Sequence, residues 1–107
     1  MGGDLIELAR RLDVATGSDR EIDVGIARLF GGGEPAPDYT ASVDRCTDLV
    51  RAVLPGWAWH VGWNATGILP YASLHQGDRV AEAAAPTVPL ALLKALLKAR
   101  LAAETSG

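Results

Sequence analysis

The segment that most limits how this chain can fold is residues 86–103, PTVPLALLKALLKARLAA. On a helical wheel Leu90, Leu93, Leu97 and Leu101 form one stripe, and Leu92 and Leu96 widen it. Ala91, Ala95, Ala99 and Ala102 form a second stripe of small residues. Lys94 and Lys98 make the one clear polar edge. A helix this apolar has to be buried on more than one side. The leucines are expected to cover a sheet. The alanines let another helix come close, either from this chain or from a second copy. Thr87 is placed to cap the helix, with Pro89 tolerated in its first turn.

The rest of the chain must supply that cover, and it is short. Its 107 residues make one small domain, expected over 1–107, that can hold a core without metal or disulfide staples. The formal charge is −3, with no basic patch and no acidic tail, which argues against a nucleic-acid backbone as partner. Cys46 is the one cysteine, so no disulfide can form within the chain, and a reducing cytosol fits. No apolar run reaches membrane-spanning length, and the start lacks a signal-peptide core.

DLIELARRLDVATG reads as a first helix, with Leu5, Leu8, Ala9 and Leu12 on one face and Gly17 as its stop. SDREIDVGIARLFGGG reads as a second. Ser18 and Glu21 have the spacing of a capping box, Ile22, Ile26 and Leu29 make the apolar face, and Gly25 allows close contact. The glycines 31–33 end it and lead into GGGEPAPD. A third helix, SVDRCTDLVRAVL, is capped by Thr40 or Ser42 and turns Val43, Cys46, Leu49, Val50 and Val53 inward.

WAWHVGW alternates strictly. As a strand it puts Trp57, Trp59, Val61 and Trp63 on one face and Ala58, His60 and Gly62 on the other. NATG is a turn, and ILPYASL is a second strand whose Pro70 points to an edge or a bulge. HQGD turns again, and RVAEAA is a third strand. The fold class is α/β of the α+β type. A three-stranded antiparallel sheet is sandwiched between helices, with the third and last helices over opposite or adjacent parts of it.

The stretches ARRLDVATGSDREIDVGIARLF, YTASVDRCTDLV, PGWAWHVGW and APTVPLALLKALLKARL resemble the phage ABA sandwich domain family, small proteins of tailed phages and prophages. The stretches stand in the family's order and cover nearly the whole chain. The resemblance implies a helix, sheet, helix sandwich, a phage origin and a place in the host cytoplasm. It brings no reaction and no catalytic residue. The short GGGEPAP loop and Pro70 depart from the family's pattern.

Chemistry is concentrated in PDYTASVDR. Read as a ligand site, it offers the Tyr39 ring, the Thr40 and Ser42 hydroxyls, the Asp44 carboxylate and free amides at a helix start. Read as structure, it is a cap with Asp44 in the first turn and Tyr39 as a hydrophobic staple, and this reading requires less. The tryptophans could stack a base, but such a stripe is more often core. His60 faces a gap beside Ala58 and Gly62 and is more often structural than ligating. The ligand-binding candidates are therefore Tyr39, Thr40, Ser42, Asp44, Trp59 and His60, and the oligomer candidates are Ala91, Ala95, Ala99 and Ala102.

Metal-ligand spacing is missing: His60 and His75 lie on different elements, and Cys46 sits on an apolar helix face. No nucleophile motif or phosphate loop is present, and no cofactor is expected. Two functions fit. One is a phage accessory protein that binds a small molecule without transforming it, such as a nucleotide-type signal of host defence. The other is a small adaptor, most simply a homodimer, with no ligand. An enzyme comes third.

Overall fold

The computed structural model describes residues 2–63 and 65–106. Helix α1 (Gly2–Val14) buries Leu5, Leu8 and Leu12. Helix α2 (Arg20–Phe30) buries Ile22, Ile26 and Ala27. A Cβ at Gly25 would meet Leu8 Cδ1 at 3.1 Å, so this glycine lets α1 and α2 approach closely. The cap of α2 is Asp19, not the expected Ser18. Asp19 Oδ1 accepts from the amides of Glu21 and Ile22 at 2.9 and 3.1 Å. A carboxylate accepts more strongly than a hydroxyl, and the Glu21 side chain lies 3.7 Å from Arg11 rather than reaching back to the cap. Gly31 ends α2 at φ +75°.

A 3-10 turn (Tyr39–Ala41) leads into helix α3 (Val43–Val53). Ser42 caps α3, its hydroxyl accepting from the Arg45 amide at 3.2 Å. Cys46, Leu49 and Val50 point inward and Val53 is half-buried. Val43, expected inside, stands at the helix's first position, before its first full turn, and is exposed.

Strands β1 (Ala58–Trp63), β2 (Pro70–Gln76) and β3 (Arg79–Ala84) form an antiparallel meander in the order β1-β2-β3. Pro70 was the reason to expect an edge, yet β2 is the central strand. Pro70 opens it, opposite Trp63, where no ladder donor is needed, and its carbonyl accepts from the Ala85 amide at 3.1 Å. Gly77 takes φ +60° in the tight turn between Gln76 and Arg79. The turn expected at NATG includes Asn64, outside the described residues.

Helix α4 (Val88–Ser106) occupies the centre. Thr87 Oγ1 accepts from the Leu90 amide at 3.3 Å, the expected cap. Leu90, Ala91, Leu92 and Ala95 are 0 % exposed, and Leu93, Leu96 and Leu97 1 %. Each such leucine contributes roughly 1.5–3 kcal/mol before conformational entropy is deducted. β2 and β3 cover α4 on one side, and α1, α3 and the 3-10 turn cover it elsewhere. The alanine stripe is thus consumed within one chain. Ala91, Ala95 and Ala99 are buried and offer no surface to a second copy, while Ala102 alone is exposed.

The fold is α+β: among the described residues, four helices and one three-stranded antiparallel sheet in layers. The helices are spread unevenly over the sheet. α4 lies on the face of Ala72, Leu74 and Ala81, and the Arg51 guanidinium at the end of α3 lies 4.8 Å over the Trp59 ring on the adjacent part. The other face carries Ala58, His60, His75, Val80 and Glu82, all exposed, with Gly62, Tyr71, Ser73 and Ala84 half-buried. That face has few long apolar side chains, so covering it with a helix would gain little.

Replacing Ala95 with Glu should abolish cooperative folding. The variant places a longer, unpaired carboxylate where no space is open, at a cost of several kcal/mol against a total stability of about 5–15 kcal/mol. A circular-dichroism melt decides it. A folded Ala95→Glu subunit would return the stripe to the surface.

Candidate functional site

At the PDYTASVDR junction the structure assigns each residue a specific contact. Thr40 is 2 % exposed and Asp23 of α2 is 1 % exposed. Asp23 Oδ1 accepts from the Thr40 amide and from its hydroxyl, both at 2.8 Å. Arg20 Nη1 reaches Asp23 Oδ2 at 3.1 Å. Thr40 Oγ1 in turn accepts from the Asp19 amide at 2.8 Å. The carboxylate, the hydroxyl and both amides are satisfied, as a buried polar cluster requires. Thr40 therefore fastens the 3-10 turn to the first turn of α2 and does not cap α3. Ser42 does that alone. Asp44 stands in the first turn of α3, exposed to solvent.

Tyr39 is buried and closes the same clamp from the other side. A Cβ at Gly32 would collide with the Tyr39 hydroxyl, so Gly32 clears the space for this ring. The Tyr39 carbonyl accepts from Cys46 Sγ at 3.0 Å. Burial pushes the Cys46 thiol up to about 12, with the Asp23 and Asp38 carboxylates adding to it. Burial also raises the Tyr39 phenol, against a lowering from Arg45. Neither group is an available acid or nucleophile near neutral pH.

The other candidates lie apart from this clamp. Trp59 is on β1, half-buried beneath Arg51, which itself pairs with Asp48 at 3.3 Å. His60 is exposed on the opposite sheet face, edge-on to Tyr71 at 6.0 Å between ring centroids. Tyr71 lies across Gly62, where a Cβ would stand 3.3 Å from Cε1. The six ligand-binding candidates thus fall in three places and form no common pocket. Two of them, Tyr39 and Thr40, are closed to solvent.

The tryptophan stripe departs from its expected role as core. Trp57 and Trp59 are half-buried, Val61 is 38 % exposed and Trp63 is 64 % exposed. A helix about 10–12 Å across spans only about two strands spaced roughly 4.8 Å apart. α4 covers β2 and β3, and β1 lies beyond it. Ile68 and Leu69 of the β1–β2 connection are also in solvent, 73 % and 38 % exposed. The edge strand and the connection that follows it thus leave four large apolar side chains in solvent. Beside it an open hollow of about 530 Å³ is lined by Trp63, Tyr71, Glu82 and Lys98 among others.

Among the described residues no group of three or more His, Cys, Asp or Glu comes together as a metal site. Among the described residues no helix is long and apolar enough to cross a membrane. No family model, curated protein or solved structure matches the chain.

The two hydroxyls of the junction should separate by mutation. Thr40→Val keeps the shape but leaves buried Asp23 short of a donor and should cost about 2–3 kcal/mol. Ser42→Ala removes only a cap and should cost about 1 kcal/mol. Urea unfolding measures both, and equal small losses would dissolve the clamp.

Cys46 also predicts alkaline sensitivity. Its folded value lies above a thiol's ordinary value of 9.0, so the folded state holds the proton longer than the unfolded chain. The stability this provides is complete below pH 9 and is lost as pH rises toward about 12. Cys46→Ala should flatten that decline in a pH series of melts, and an unchanged slope would reject the linkage.

Proposed function

We propose that this protein is a non-catalytic interaction module, a small adaptor of phage origin that works in the host cytoplasm. The observation that carries the reading is the exposure of Val61 and Trp63 on the edge strand that α4 does not cover, and of Ile68 and Leu69 just after it. Contiguous apolar groups left in water mark docking surfaces. Trp is foremost among the side chains that anchor such contacts. The junction that suggested a ligand pocket is engaged in holding α2 to α3, and its buried thiol and phenol are held protonated. The origin and the compartment rest on the resemblance to phage ABA sandwich domains.

Small-molecule binding is the second reading. It is favoured by the hollow where Trp63, Tyr71 and Lys98 meet, since rings and a cation suit a nucleotide.

A photo-crosslinking residue at position 68, in cells expressing the protein, should give discrete adducts with protein. The same residue at position 14, equally exposed but on α1, should give none. No adduct at 68 would end the adaptor reading. The two readings also separate by thermal melts with a panel of nucleotides and cyclic nucleotides. The adaptor should show no response, and a rise of several degrees for one compound would transfer the function to the hollow.

A further inference from the structure

The two edges of the sheet differ. Along β3, Lys94 Nζ reaches the Ala84 carbonyl at 3.0 Å and Lys98 Nζ reaches the Glu82 carbonyl at 2.8 Å. These ammonium groups occupy two of the acceptors that another strand would need. β1 carries no Lys, Arg, Asp or Glu. It pairs with β2 in unbroken register from Ala58↔His75 to Trp63↔Pro70, so no bulge twists it away. Charge, proline and bulges are the usual means by which edge strands avoid pairing. β1 has none of them within its length.

We propose that two copies of this chain pair through their β1 edges, antiparallel about a two-fold axis, to form one continuous sheet. This rests on the reading of that edge as a docking surface and names its partner. A two-fold axis perpendicular to the sheet keeps each face continuous, so a residue must oppose one of its own face. Centring on Val61 meets this condition. It sets Val61 against itself, Trp59 against Trp63 of the second copy, and His60 against Gly62. Large rings then meet on the Leu74 face, and the imidazole meets the residue with least bulk. Centring on His60 would also keep the faces, but it brings two imidazoles together and separates the tryptophans.

The partner's chemistry follows from the absence of charge. A strand without charge offers no handle to an acidic or basic partner, whereas from Trp59 to Trp63 it can pair with its own copy. The exposed parts of β1 itself, chiefly Trp63, Val61 and His60, supply on the order of 400 Å² per copy, a total in the range of weak, transient interfaces. A dissociation constant in the micromolar range is expected.

Sedimentation of the full chain from about 5 to 500 μM should show a monomer–dimer equilibrium. Val61→Lys should be monomeric throughout and should melt like the parent at concentrations where the parent is a monomer, and Trp63→Ser serves if that variant misfolds. Val80→Lys, on the covered β3 edge, should dimerise like the parent. Register is tested by Val61→Cys, which should form a symmetric disulfide with diamide. His60→Cys should not, and buried Cys46 does not compete. A parent that is monomeric at 500 μM, or a Val61→Lys protein that dimerises normally, overturns self-pairing. A disulfide at position 60 but not 61 overturns the register. Self-pairing can fail while position 68 still crosslinks to another protein, which leaves the adaptor reading standing. Loss of both removes both.

Discussion

Everything in this fold is arranged around a helix that cannot face water. α4 carries leucine on one side and alanine on the other, and its buried stretch from Leu90 to Leu97 is interrupted only by half-buried Lys94. Leucines need a broad apolar surface, and the sheet offers α4 the buried side chains of Ala72, Leu74 and Ala81 among its cover. Alanines gain little area of their own but let other elements come close. α1 packs on α4, and an ion pair between Asp13 and Lys94 at 3.5 Å ties the two helices at the margin. The sheet, α1 and α3 are therefore coupled through one shared neighbour, and a large disturbance in α4 is felt by all of them.

The second fixed point is polar. Asp23 and Thr40 are almost fully buried, and each is satisfied only by the other and by its immediate neighbours. Removing one partner from such a pair costs more than the pair itself contributes, because the remaining group is stranded away from water. The cluster thus specifies where the loop after α2 must return, something an apolar contact does loosely. Gly32 and Tyr39 reinforce the same return by shape.

These two features were not equally legible in the sequence. The burial of α4 follows from composition and spacing alone. The Asp23–Thr40 contact joins residues 17 apart and is visible only as a hint: Asp23 stands beside Ile22 and one turn before Ile26 and Ala27, on the inner side of α2. Asp19 replaced Ser18 as the cap because adjacent residues can both cap, and the loop that returns to Asp19 decides between them. Alternation in WAWHVGW correctly assigned its faces, but alternation carries no information about which strand is central. Pro70 pointed β2 toward an edge for a sound local reason. Its place at the first residue removed that constraint and sent β1 to the edge, and the tryptophans went with it.

The position of α4 also explains why the two edges of the sheet differ. Lys94 and Lys98 lie four residues apart, a rise of about 6 Å along a helix. The carbonyls they reach, Ala84 and Glu82, lie two residues apart, about 6.6 Å along a strand. The match holds only if α4 runs alongside β3, antiparallel to it and close to its outer edge. That placement keeps the ammonium groups partly in water while their stems cross apolar surface. It also draws the helix away from β1 by about the width of one strand. Covering one edge and exposing the other are thus a single geometric event, set by where the two cations of an otherwise apolar helix can remain solvated.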